Sequence, residues 1–120
     1  MTVMRFEDAA IALVETGRRI DARGWAPATA GNYSARLDDG SFAVTVSGRH
    51  KGRLSPADIM RVDAQGNPLT RGRPSAETAL HLALYRAFPA AGAVLHGHFA
   101  AGGGPEPRRA RCARMGVSRA

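Results

Sequence analysis

The stretch Ala93-Val-Leu-His-Gly-His98 constrains this chain more than any other. A short apolar run containing Val and Leu reads as a buried strand, and this one delivers two histidines two residues apart. Side chains at i and i+2 of a strand share a face, roughly 6.6–7 Å apart along the backbone. Two imidazoles so placed can converge on one divalent cation, and neutral imidazole is a preferred ligand for zinc. A catalytic zinc usually takes a third protein ligand, so His96 and His98 do not complete a site. The alternative is two strand-end histidines hydrogen-bonded to backbone or water.

Upstream, residues 6–23 read as an amphipathic helix. Phe6, Ala9, Ala10, Leu13, Val14, Gly17 and Ile20 follow the i, i+3, i+4, i+7 pattern, with acids in the first turn, arginines near the end and Gly24 as a C-terminal stop. Asn32–Leu37 and Phe42–Val46 read as two strands joined by a turn at Asp38-Asp39-Gly40. Ser55–Asp58 reads as a helical turn, Ile59–Asp63 as a strand and Ala64–Pro68 as a turn. Ser75 is a suitable N-cap for a second helix over Ala76–Ala87, with Glu77 in its first turn. Leu80, Ala83, Leu84 and Phe88 are its expected buried stripe, and His81 reads as a packing or supporting histidine.

Two loops have the composition of anion cradles. Thr29, Asn32 and Ser34 flank Gly31, and Ser47-Gly48 precedes Arg49, His50, Lys51 and Arg53. Short polar groups and backbone N–H beside a glycine can hold a phosphate. An ordinary turn and a solvated basic loop are the competing readings.

At 120 residues the chain is at most one domain. It has no apolar run near the roughly 18 residues of a membrane span, and no signal-like N-terminus is seen. A single cysteine, Cys112, excludes an internal disulfide and fits a reducing cytoplasm. Residues 100–120 hold five arginines against one glutamate, so +4 of the net charge of +7 sits in this tail. A nucleic-acid contact through the tail is one reading, but no aromatic residue lies among those arginines to stack on bases.

Gly24-Trp-x-Pro-Ala-Thr, Gly31-Asn-x-Ser34, Thr45-Val-Ser-Gly-x-x-Lys-Gly52, Pro74-Ser-Ala-Glu-Thr78 and Leu95-His-Gly-His98 occur together in order. In this the chain resembles the class II aldolase/adducin superfamily over residues 6–98, and within it the bacterial methylthioribulose-1-phosphate dehydratase branch. The resemblance implies an α/β fold, α/β/α layers around a mainly antiparallel sheet, incomplete here and usually assembled as a homotetramer. It implies a cytoplasmic zinc hydro-lyase of methionine salvage that dehydrates a ketose phosphate to a diketone phosphate, with neither nucleic acid nor membrane as partner. By motif, His96 and His98 become metal ligands, and Asn32, Ser47, Gly48 and Ser75 contacts to the substrate phosphate. Glu77 matches the superfamily's catalytic carboxylate, although in the dehydratase branch that role can belong to an acidic residue further downstream. A sugar-phosphate aldolase or epimerase of the same superfamily is the alternative, and a non-catalytic basic-tailed binding protein the alternative of another class.

After His98 the chain departs from the family, which is longer and supplies a third metal histidine later. One allowed codon set for Phe99–Arg108, read with one base fewer, restores the family-like Ser-Pro-Gln-Ala-Ala-Val-Leu-Ser-Arg. Residues 1–98 are therefore expected to be the N-terminal part of the domain, and 99–120 an unstructured, out-of-frame basic tail. On that expectation the 120-residue chain binds zinc weakly or not at all and is inactive.

Overall fold

A computed structural model describes residues 4–25, 31–99 and 109–114. Thr29 of the first expected cradle lies outside them. Helix α1 runs Phe6–Ala22, with Glu7 and Asp8 in its first turn and Arg19 in its last, as the helix dipole favours. It buries Ala9, Ala10, Leu13, Val14 and Gly17, the stripe expected from the periodicity. Gly17 is there for close approach, because a Cβ at this position would run into the carbonyl oxygen of Lys51.

Strands β1 (Asn32–Arg36) and β2 (Phe42–Thr45) form the expected hairpin. Its turn closes through Leu37 N–H donating to Ser41 O, while the Asp39 side chain accepts from Ser41 N–H. Two short 3-10 turns, Lys51–Arg53 and Pro56–Asp58, follow β2, the second carrying a reciprocal Ser55/Asp58 capping box. They lead into β3 (Ile59–Val62). After helix α2 (Thr78–Ala87), β4 (Ala93–Phe99) inserts on the far side of β1. A last strand, β5 (Arg109–Arg114), completes the order β3-β2-β1-β4-β5, with every neighbouring pair antiparallel.

The sheet is covered on both faces, which is why β1 and β2 are buried almost throughout instead of alternating with solvent. On the α1 face lie Tyr33, Ala35, Ala43, Ile59 and Ala93. On the other, Phe42, Val44, Met60, Val62 and Val94 meet Leu82 and Tyr85 of α2. This is the layered α/β arrangement expected from the resemblance.

The expected start and buried face of the second helix are corrected. Helix α2 starts at Thr78, with Ser75 Oγ accepting from Glu77 N–H just ahead of it. It buries Thr78, His81, Leu82 and Tyr85, whereas Leu80 and Phe88 are 42% and 43% exposed and Ala83 faces outward. Hydrogen bonds from β1 draw the polar face of the helix inward, so hydropathy alone points to the wrong side. Phe99 ends β4, and within 99–120 the residues Arg109–Arg114 form β5. The outer edge of β4 presents a row of backbone donors and acceptors, and β5 pairs with it from Val94↔Arg114 to Phe99↔Arg109.

The Gly17 contact gives a direct check on the α1 packing. Gly17→Ala forces α1 away from the Lys51 carbonyl and is expected to cost about 2 kcal/mol or more in urea denaturation, an overpacking effect. An unchanged midpoint would contradict this packing.

Candidate metal and substrate site

Antiparallel pairing decides where the chemistry collects. The start of β1 and the ends of β2 and β4 lie at one end of the sheet. Asn32 stands directly opposite His96, so both side chains share a face. A bridge between Val46 and Pro74, and Ser47 N–H donating to Arg73 O, bring the loop after β2 against the entry to α2. Glu77 closes the group, with Oε2 3.4 Å from His96 Nδ1. Gly31 permits the turn into β1 at φ 91°, where a Cβ would stand 2.7 Å from the His96 carbonyl oxygen.

Asn32 is fully buried, and its Oδ1 accepts from Thr45 Oγ1, which itself accepts from Tyr33 N–H. Ser47 and Gly48 are exposed in the neighbouring loop, and Ser75 is half-buried with its hydroxyl engaged at the start of α2. The six described side chains or glycines singled out in the sequence, Asn32, Ser47, Gly48, Ser75, Glu77 and His96, therefore converge on one end of the sheet. His98 lies two residues further along β4, its side chain outside the described residues. An imidazole and a carboxylate already in contact are donor chemistry that suits zinc. Among the described residues, however, no group of three or more His, Cys, Asp or Glu assembles. The set fits a divalent cation in kind and is partial in number.

Sequence reasoning undervalued what lies behind this group. His81 is fully buried, its Nδ1 2.6 Å from Ser34 Oγ, and Ser34 Oγ also lies 2.8 Å from Tyr85 Oη. The His81 and His96 rings are 6.4 Å apart between centroids. Burial, and then the neighbouring His96, lower the His81 pKa to about 4, so the ring is neutral at pH 7. Burial pushes Tyr85 up to about 12, the Ser34 hydrogen bond opposing the rise. The signal was present as a polar stripe at positions 77, 81 and 85, one helical turn apart.

The second expected anion cradle does not form from its basic side chains. Arg49 Nε pairs with Asp58 at 2.9 Å, and His50 accepts from Gly52 N–H. Lys51 is buried with Nζ donating to Arg49 O at 2.7 Å. Arg49, His50 and Lys51 are thus engaged by the protein itself, whereas Arg53 is exposed.

Residues 11–103 match the family described as Class II Aldolase and Adducin N-terminal domain. The methylthioribulose-1-phosphate dehydratase of Methylococcus capsulatus is 63% identical over 93 residues, covering 78% of this chain and 46% of that protein. That of Granulibacter bethesdensis is 59% identical over 93 residues, covering 77% and 44%. Among solved structures, YgbL from Escherichia coli superposes with a TM-score of 0.75 at 35% identity, covering 79% of this chain and 46% of that one. L-fuculose-1-phosphate aldolase from Thermus thermophilus gives a TM-score of 0.64 at 36% identity, covering 75% and 46%. The chain thus spans about half the length of the curated relatives it matches.

The buried lysine of the basic loop makes a pH-dependent prediction. Burial lowers Lys51 to about 8, below the ordinary 10.5, so between these values the unfolded chain holds a proton that the folded chain does not. Stability is therefore expected to rise with pH from about 8 to 10. Urea midpoints across that window should climb for the parent chain and stay flatter in Lys51→Met. An equal slope in both would contradict the assignment.

Proposed function

The chain belongs to the class II aldolase and adducin N-terminal domain family, and from that premise we propose that its site serves dehydration of a ketose phosphate, methylthioribulose 1-phosphate being the substrate favoured. The observation that carries this reading is the 63% identity to a named dehydratase across the stretch containing the site. The convergence of Asn32, Glu77 and His96 at one end of the sheet supports it.

A ketose phosphate presents a carbonyl, adjacent hydroxyls and a phosphate. Asn32, Ser75 and the Ser47-Gly48 turn are the groups assigned to the phosphate. Gly48 would contribute its backbone N–H there and Ser75 its hydroxyl, where the Val46–Pro74 bridge brings the β2 loop against the entry to α2, while Ser47 N–H is already given to Arg73 O. Glu77 is assigned to proton transfer at the substrate carbon beside the carbonyl, a step that needs a carboxylate within hydrogen-bond reach. His96 orients that carboxylate through the 3.4 Å contact. Zinc, when bound, would be held by His96 and His98 and would polarise the substrate carbonyl. Assembly as a homo-oligomer and a cytoplasmic setting belong to the same proposal. Among the described residues, no helix is long and apolar enough to cross a membrane.

The decisive experiment joins residues 1–98 to the remaining half of the Methylococcus capsulatus dehydratase. Loaded with zinc, this chimera is expected to dehydrate methylthioribulose 1-phosphate, and Glu77→Gln to lower kcat by ~100-fold or more, as for loss of a general acid–base group. Cleavage of L-fuculose 1-phosphate without dehydration would overturn the reading in favour of an aldolase. Glu77→Gln with unchanged kcat would move the proton-transfer role elsewhere.

A further inference from the structure

Behind the Glu77–His96 contact, two buried nitrogen donors have no hydrogen-bond partner among the described residues: Asn32 Nδ2 and His81 Nε2. Both residues are fully buried. A buried donor left unmatched costs about 1–3 kcal/mol, so two of them beside one site require an explanation.

The networks around them determine what each nitrogen offers. Tyr33 N–H occupies Thr45 Oγ1 as an acceptor, which leaves the Thr45 hydroxyl hydrogen for Asn32 Oδ1. The Asn32 amide is thereby held with its oxygen toward Thr45 and its NH2 unmatched. On the other side, Tyr85 remains a phenol and must place its hydrogen, and Ser34 Oγ is 2.8 Å away. With Tyr85 as donor, the Ser34 hydrogen is left for His81 Nδ1 at 2.6 Å, an assignment from the network that puts the ring's own hydrogen on Nε2. Asn32 faces His96 across β1 and β4, and the His81 ring is 6.4 Å from the His96 ring.

We propose that His81 Nε2–H is a ligand contact, paired with Asn32 Nδ2–H to hold an oxygen atom of the molecule bound beside His96. Two N–H donors and no acceptor select a carbonyl, carboxylate or phosphate oxygen over a donor such as an ammonium group. Tyr85 and Ser34 are positioning residues, acting through the tautomer they impose on His81. The inference rests on the proposed function only in expecting an oxygen-rich ligand at His96.

The test is side-chain nitrogen NMR of the 15N-labelled 120-residue chain without added metal, titrated separately with acetate and with dihydroxyacetone phosphate. His81 is expected to carry its hydrogen on Nε2, and its resonance and that of Asn32 Nδ2 to move together at one Kd. His81→Phe should weaken that Kd by ~10-fold, the loss of one matched donor, while His81→Gln, which keeps a nitrogen donor, should stay within ~3-fold. Should His81→Phe fail to fold, the parent spectra and His81→Gln still decide. A hydrogen on Nδ1, or the two side-chain resonances unmoved by either probe, would overturn the proposal. Movement with acetate but not with dihydroxyacetone phosphate would keep the donor pair and count against the ketose phosphate reading.

Discussion

The structure depends on how α2 is fastened to the sheet, and the fastening is polar. Ser34 sits at an inward position of β1, where a neighbouring strand would place valine, and takes both His81 and Tyr85 of α2. A hydroxyl buried this deeply is unfavourable unless both its donor and acceptor capacities are used, and here they are. Hydrophobic burial of Phe42, Val44 and Val94 against Leu82 brings the layers together without fixing the rotation of the helix. The Ser34 bonds fix it, and with it the direction in which the helix entry carries Glu77.

The consequence for the site follows from chain geometry. Each turn of α2 exposes one residue to the same face, so setting His81 and Tyr85 inward sets position 77 toward the end of β4. Glu77 then meets His96 because β1 is flanked by β4 in the Asn32↔His96 register. A shift of that register by one residue would turn the histidine to the α1 face, away from the carboxylate. The site is therefore a product of two constraints, strand register and helix rotation.

How much of this was legible in the sequence differs by element. Helix α1, the β1–β2 hairpin and β3 followed from apolar period and turn chemistry, because each is decided by local spacing. The convergence of Asn32, Glu77 and His96 rested on the resemblance; no periodicity could pair strands so distant in sequence. The burial of α2 was misread because Leu80 and Phe88 outrank Thr78, His81 and Tyr85 in hydropathy, while the competing hydrogen bonds lie in β1. Arg49 and Lys51 looked like ligands for an anion, yet their partners are Asp58 and a backbone carbonyl nearby. The pairing of β5 depends on the open edge of β4, a property of the sheet that residues 99–120 do not carry themselves.

The most direct measurement of this account is a double-mutant cycle on the Ser34 bridge. Ser34→Ala leaves His81 and Tyr85 buried with unmatched groups and is predicted to cost about 2–3 kcal/mol in urea denaturation. Adding Tyr85→Phe removes one of those groups, so the double variant should lose at least about 0.5 kcal/mol less than the sum of the two single changes. A loss under about 0.5 kcal/mol for Ser34→Ala, with strictly additive behaviour in the pair, would mean that apolar packing alone orients α2. The position of Glu77 beside His96 would then need another cause.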